Sequence, residues 1–284
     1  MYKKKFGANF LRYNNSGIET YLSVFVIERL GNQLFEIISA WSYCKKNKIK
    51  FVLDKSYQEK NSKYYKHFFN SLEYVDKVSN FLVKDYPCYK SIWNDNELYN
   101  AYNINKKYGL NILIKGFLQN SNNFNHYREE ILERFFNIKE IREKNNKFFI
   151  HIRLTDFKTS PVHNLNLDRY YSNAIEYVSS LINTNDTIFY ILSDNIEEAR
   201  KKEYFRVFNQ NTLVFIDNKE YDEIKTLELC KDCCQGAIIG HSTFAWWGAY
   251  IINCPEKIVV CPNKFLKSND DFSGLFLNYK VLDI

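Results

Sequence analysis

Phe148-Phe149-Ile150-His151-Ile152-Arg153-Leu154-Thr155-Asp156 is an apolar run that ends in a basic and an acidic residue. Aromatic and β-branched side chains at adjacent positions suit a strand buried on both faces, which belongs in a parallel sheet covered by helices. The polar residues that follow such a strand sit at its carboxyl end, where ligands of open α/β sheets bind. Downstream, apolar runs at residues 187–193, 212–216, 236–240 and 257–261 alternate with helix-patterned stretches at 168–182, 196–205, 222–233 and 244–252. That alternation predicts a β-α-β series with short connections.

The first half repeats the theme less regularly. A strand is expected at residues 21–27, a helix at 32–46, and strands at 50–53 and 112–115, with an aromatic, Asn-rich and Lys-rich stretch between them that shows no clear period. A polar segment at residues 138–147 reads as a hinge. The expected architecture is α/β with two facing Rossmann-like domains, residues 1–140 and 141–284, and a two-substrate site in the cleft between them.

The composition is that of an ordinary globular chain, 284 residues with 45% hydrophobic and 25% charged, which argues against disorder. The net charge of +6 is spread along the chain, with short runs at 3–5 and 200–202, so no stripe for nucleic acid is evident. A basic balance suits a pyrophosphate ligand or an anionic membrane surface. No apolar segment reaches the roughly 18 residues of a spanning helix, and the start leads into no signal-like core. A cytoplasmic protein is expected, with peripheral association at a membrane left open. The seven cysteines then read as reduced thiols. Cys230, Cys233 and Cys234 have a ligand-like spacing, but no second close pair of Cys or His accompanies them, so they are read as residues on and beside an amphipathic helix.

Three strand-to-helix turns carry the chemistry. In the first, Arg153 can present its planar fork of donors to a pyrophosphate, and His151 can hydrogen-bond a base or sugar. Arg153 and Asp156 can equally form a local ion pair. In the second, Arg29-Leu30-Gly31-Asn32-Gln33, Gly31 permits close backbone approach and the helix amino terminus suits an anion; helix capping by Asn32 is the plainer alternative. In the third, Gly240-His241-Ser242-Thr243-Phe244-Ala245-Trp246-Trp247-Gly248-Ala249, Ser242 and Thr243 fall at the helix cap, where hydroxyls and N–H groups can cradle phosphate. Trp246 and Trp247 are read as core, with Ala245, Gly248 and Ala249 letting the helix lie close to the sheet.

Taken together, residues 29–33, Gly116-Phe117-x-Gln119, His151-x-Arg153-x-x-Asp156, Leu192-Ser193-Asp194 and Ser242-Thr-Phe-Ala-Trp-Trp-Gly248 stand in an order that resembles the α-1,2-fucosyltransferases, glycosyltransferase family eleven. The resemblance implies a GT-B-like fold, a GDP-fucose donor held mainly by the second domain, a glycan acceptor on the side of the first, and no divalent metal or other cofactor. It places Arg153 on the pyrophosphate, His151 and Asp194 near guanosine, and Ser242, Thr243 and Phe244 around the phosphates. Arg29, Gly31 and Asn32 would come from the opposite domain, near the transferred sugar. The chain contains no D-x-D, so Arg153 and helix termini would do what a metal does elsewhere.

Three departures stand out. Leu154 occupies the position of a second Arg in many relatives, which would remove a cation near the donor. Glu28-Arg29 replaces the usual double Gly. Residues 1–20 form an extension. Inverting displacement by an acceptor hydroxyl needs a base, and Asp156, Glu36 and His163 are the candidates, with Arg153, Asp156 and Arg29 forming the expected catalytic set.

Overall fold

The computed structural model describes residues 19–268 and 270–284. The run at residues 3–5 and most of the amino-terminal extension lie outside the described residues. Two parallel sheets form the frame, as the alternating pattern predicts.

The first sheet begins with β1 (Tyr21–Val24), followed by helix α1 (Leu30–Asn47) and β2 (Lys50–Phe51). A short pair, β3 (Leu53–Asp54) and β4 (Tyr74–Val75), flanks the helical turns α2 (Ser56–Lys60) and α3 (Ser62–Tyr64). Then come β5 (Phe81–Asp85), α4 (Asn96–Lys106), β6 (Asn111–Lys115) and α5 (Arg128–Phe136). The strand order is β2-β1-β6-β5, parallel throughout.

The second sheet collects β7 (Lys147–Ile152), β8 (Ile188–Ser193), β9 (Leu213–Phe215), β10 (Gly236–Ile238), β11 (Ile258–Pro262) and β12 (Lys280–Leu282). Its order is β12-β11-β10-β7-β8-β9, again parallel. Its helices are α6 (Asp156–Thr159), α7 (Asp168–Ser179), α8 (Ile196–Ala199), α9 (Glu223–Asp232) and α10 (Thr243–Tyr250). The apolar run 148–152 is almost wholly buried and pairs with β8 and β10 on its two sides.

Helix α10 joins the halves. A helix apolar on every side must be buried on every side, and Ala245 to Tyr250 are all buried. Trp246 and Trp247 are fully enclosed, with ring centroids 4.8 and 5.1 Å from Phe35 of α1. Their indole N–H groups donate to the carbonyls of Leu275 at 2.7 Å and Gly31 at 3.1 Å, which satisfies buried donors that would otherwise destabilise the core. The small residues have the role the sequence indicated: a Cβ at Gly248 would lie 3.1 Å from Cys230 Sγ and 3.2 Å from Phe149. One continuous apolar cluster therefore spans both sheets through α1 and α10.

Several expectations need correction. Residues 196–205 are not one helix: α8 ends after a single turn and a 3-10 turn, Glu203–Val207, follows. The spacing of Ala199, Phe205 and Phe208 does not fit one helical face, and all three are buried, so the chain bends to bury them. The stretch between β4 and β6, patternless in the sequence, holds β5 and α4; β5 is an edge strand whose residues stay largely exposed, so it shows no alternation. The polar segment at 138–147 is tethered rather than free. Arg142 pairs with Asp232 and its N–H donates to Asn253 carbonyl at 2.8 Å. Among the described residues no helix is long and apolar enough to cross a membrane.

Candidate active site

The carboxyl ends of the two sheets face one another across a cleft of about 820 Å³. Arg29, Gly31, Asn32, His151, Arg153, Asp156, Asp194, Ser242, Thr243 and Phe244 all line it, so residues from four distant segments meet in one place.

The carboxyl end of β7 supplies the charges. Arg153 donates from Nε and Nη2 to Asp156 at 2.9 and 2.8 Å, and its Nε lies 3.1 Å from Asp194 Oδ2. The local ion pair left open by the sequence is therefore formed. Arg29 reaches the same Asp156 carboxylate from the opposite sheet at 3.5 Å. Hydrogen bonds from Arg153, with the nearby cations, hold the Asp156 carboxyl below the usual carboxylate range. A carboxylate so stabilised in its charged form is a poor proton acceptor, which weighs against Asp156 as the base.

Asp194, expected near guanosine, braces the turn. Its Oδ1 accepts from Leu154 N at 2.7 Å, its Oδ2 from Thr155 N at 3.2 Å, and the Thr155 hydroxyl also donates to it. With Arg153 as a fourth partner, it orients the arginine rather than offering a free acceptor. Leu154 is buried in the apolar cluster behind the sheet and does not line the cleft. The missing second cation therefore cannot be read as a change in the cleft wall.

The other two turns meet end to end. A Cβ at Gly31 would lie 2.5 Å from Phe244 N and 2.6 Å from Thr243 Oγ1, so the close approach of α1 to α10 requires glycine here. Asn32 Oδ1 accepts from Thr243 Oγ1 at 3.0 Å and from Gln119 Nε2 at 2.9 Å, which ties the domains together. Asn32 does not cap α1, whose N-cap is Arg29. Ser242 caps α10, its hydroxyl accepting from Ala245 N. The Thr243 O–H is thus used within the protein, whereas Ser242 only accepts in its cap, so the Ser242 O–H and backbone N–H groups are what these turns offer a ligand. Two helix amino termini, each carrying partial positive charge, converge on one point of the cleft beside Arg153 and Arg29.

Three histidines surround it. Burial, reinforced by the Arg153 charge, pushes the His151 imidazole down to about 4, and burial also takes His241 down to about 4. His241 Nε2 lies 2.9 Å from the His163 carbonyl. Because a carbonyl only accepts, Nε2 carries the proton and Nδ1 is an acceptor. His151 Nδ1 and His241 Nδ1 are both buried without a partner among the described residues. His163 stacks on Phe157 at 4.3 Å, its Nδ1 lies 2.9 Å from Ser160 Oγ, and burial lowers its pKa.

A pH dependence follows. The folded chain keeps His151 and His241 neutral down to about 4, whereas an unfolded chain binds their protons near the ordinary value of 6.5. Stability is therefore expected to fall as pH drops through this window, because the unfolded state takes up protons first. Denaturant midpoints between pH 7 and pH 4, compared for wild type and His241→Asn, check this: the variant should lose less, and identical slopes would refute it.

Glu36, the second candidate base, is fully buried and outside the cleft. Burial raises its pKa to about 9, so it is protonated at neutral pH. Its Oε2 accepts from Ile27 N at 3.0 Å. The sequence named this residue as a candidate base, and the structure removes it from the cleft because the α1 face that carries it is turned inward. Sequence reasoning assigned no role to His241, Phe157 or Glu28, which also line the cleft; His241 lay inside a quoted motif, but a lone His gives no signal until the fold places it. The cysteines at 230, 233 and 234 are buried around the end of α9.

Residues 75–274 match glycosyl transferase family 11. The O-antigen biosynthesis glycosyltransferase WbnK of Escherichia coli is 30% identical over 138 residues, 46% of this chain and 43% of that protein. An α-1,2-colitosyltransferase of Escherichia coli is 28% identical over 171 residues, 55% of this chain and 56% of that protein. The chain thus spans about half the length of the curated relatives it matches. A structure of an Arabidopsis thaliana FUT1 mutant in complex with GDP aligns over 85% of this chain and 70% of that chain, at 10% identity and a TM-score of 0.48. The family match takes in the β7 turn and the α10 turn that line the cleft, and the chain belongs to glycosyl transferase family 11.

Proposed function

We propose that the chain transfers L-fucose from GDP-β-L-fucose to a hydroxyl of a glycan, O2 of a galactoside, by a single inverting displacement. The observation that carries this reading is the meeting of the α1 and α10 amino termini at Gly31 and Phe244, beside two arginines. Like dipole ends brought together repel, and an anion between them relieves the repulsion. A pyrophosphate has the charge and reach to bridge them and to compete with Asp156 for the Arg153 fork.

In the reaction the acceptor oxygen attacks the anomeric carbon while the bond to the β-phosphate oxygen breaks, the electron pair leaves with GDP, and the acceptor's proton passes to His163, the neutral candidate base that lines the cleft. Arg153 and the helix ends stabilise the charge growing on that oxygen. His151 and His241, held neutral, line the cleft without adding charge to it. Arg29 reaches over from the acceptor side and supports closure by pairing with Asp156 across the cleft. With two guanidinium groups and two helix ends in place, no divalent metal is required by charge balance. A second reading, transfer of another activated deoxysugar such as colitose, is favoured by the match to the colitosyltransferase.

Product analysis with GDP-fucose and a panel of galactosides, with and without EDTA, tests the proposal. An α-1,2-fucosylated product at a rate unchanged by EDTA is expected. Turnover with nucleotide-activated colitose but not GDP-fucose would favour the second reading, and a strict requirement for Mg²⁺ would overturn the metal-independent one.

A further inference from the structure

The cleft wall contributed by the first sheet carries a carboxylate that the assignments above leave unused. Glu28 lies on the loop between β1 and α1, is exposed, and lines the cleft next to Arg29. Its φ is 65°, in the left-handed region that favours glycine. A side chain held there persists only where its surroundings over-determine the backbone, and two buried side chains do so. Gln33 Nε2 donates to the Glu28 carbonyl at 2.7 Å, while Gln33 Oε1 accepts from the Tyr57 hydroxyl at 2.8 Å. One residue earlier, Ile27 N donates to the buried carboxyl of Glu36. The turn is clamped from inside the domain, and its side chain is presented outward.

The other carboxylates lining the cleft have partners. Asp156 is held by Arg153 and Arg29, Asp194 by Arg153 and the amides at 154 and 155, and Asp222 and Glu223 by Lys63. The Glu28 carboxylate has no hydrogen bond or ion pair among the described residues. Tyr89 and Phe117 line the cleft from the same domain and provide faces on which a sugar ring can stack.

We propose that Glu28 determines acceptor specificity, its carboxylate accepting hydrogen bonds from the hydroxyls of a neutral sugar that enters along the wall of the first domain. The proposal rests on the donor assignment above, which places the pyrophosphate against Arg153 and the helix ends and leaves this wall to the acceptor. An ionised carboxylate only accepts hydrogen bonds, so it selects hydroxyl-rich neutral acceptors and repels acidic ones.

The test uses Glu28→Gly, whose backbone suits the observed φ, and Glu28→Gln, which keeps the shape and removes the charge. With the glycine variant, thermal stability is expected to be kept or raised, GDP affinity by calorimetry to be unchanged, and acceptor KM to rise about 10- to 100-fold, the range for losing charge-assisted hydrogen bonds, at a nearly constant kcat. Glu28→Gln should narrow the gap between a neutral galactoside and one bearing a carboxylate. An acceptor KM within about twofold of wild type in both variants would overturn the proposal. So would a fall in kcat at unchanged KM, which would make Glu28 a proton acceptor instead. GDP titration of the wild type reports on the donor assignment separately, and turnover with whichever nucleotide sugar the wild type consumes reports on Glu28.

Discussion

Replacing Arg153 by alanine is expected to reduce kcat/KM for the nucleotide sugar about 1000-fold, close to 4 kcal/mol of lost transition-state stabilisation. The side chain is only 16% exposed, and it holds two carboxylates, of which Asp194 is 15% exposed. Its removal deletes the fork expected to meet the pyrophosphate and also leaves a half-buried anion facing that phosphate, so attraction is exchanged for repulsion. Part of the damage should appear as a lower Tm, because the Asp194 brace on residues 154–155 loses its cation. Arg153→Lys separates the two contributions. A lysine keeps the charge but not the planar fork, so it should recover most of the stability and a minor share of the activity. Steady-state kinetics at varied donor concentration, with thermal denaturation alongside, check both. An alanine variant within about fivefold of wild type would show that the donor phosphates sit elsewhere.

The second large effect is expected at Gly31, where the two helices abut. A methyl group there would meet Phe244 N at 2.5 Å and Thr243 Oγ1 at 2.6 Å. Neither neighbour can yield easily: one is backbone in the first turn of α10, and the other is tied to Asn32 at 3.0 Å. Gly31→Ala must therefore push α1 and α10 apart, straining the Trp247 bond to the Gly31 carbonyl and the aromatic contacts behind it. Overpacking of this kind costs about 3 kcal/mol, which corresponds to a Tm lower by roughly 5–10 °C for a chain of this size. Because the two helix ends and the Asn32–Thr243 bond also shape the cleft, GDP binding should weaken at a temperature where the variant is still folded. A variant with wild-type Tm and wild-type GDP affinity would contradict the close approach.

Much of the frame could be read directly from residues. The second sheet is legible because its central strands β7, β8, β10 and β11 are largely buried and α7 is amphipathic, so apolar runs and 3.6-residue periods alternate with little interference. The β7 turn and the α10 turn were likewise visible, since apolar strands running into Arg153 and into Ser242-Thr243 are local patterns. The first half was less legible where the chain sits at an edge or forms short turns. At β5, exposure on both faces erases the alternation that marks a strand, and between β3 and β4 the chain makes short α-helical pieces that pass into a π-helical turn at Tyr65–Phe69, so no single period is kept.

The sequence alone determined the α/β class, the burial of Trp246 and Trp247, the position of the three turns and the order of motifs that marks the family. Tertiary structure decided how those residues are used. Gly31 admits the neighbouring helix α10, Asp194 braces the β7 turn, Glu36 is a buried neutral acid, and Leu154 faces the core. The physical reason is that hydrogen-bond partners and burial depend on distances between segments far apart in the chain: Asn32 meets Thr243 and Gln119. No local pattern of residue types encodes whether a polar group will find its partner in the protein or keep it for a ligand.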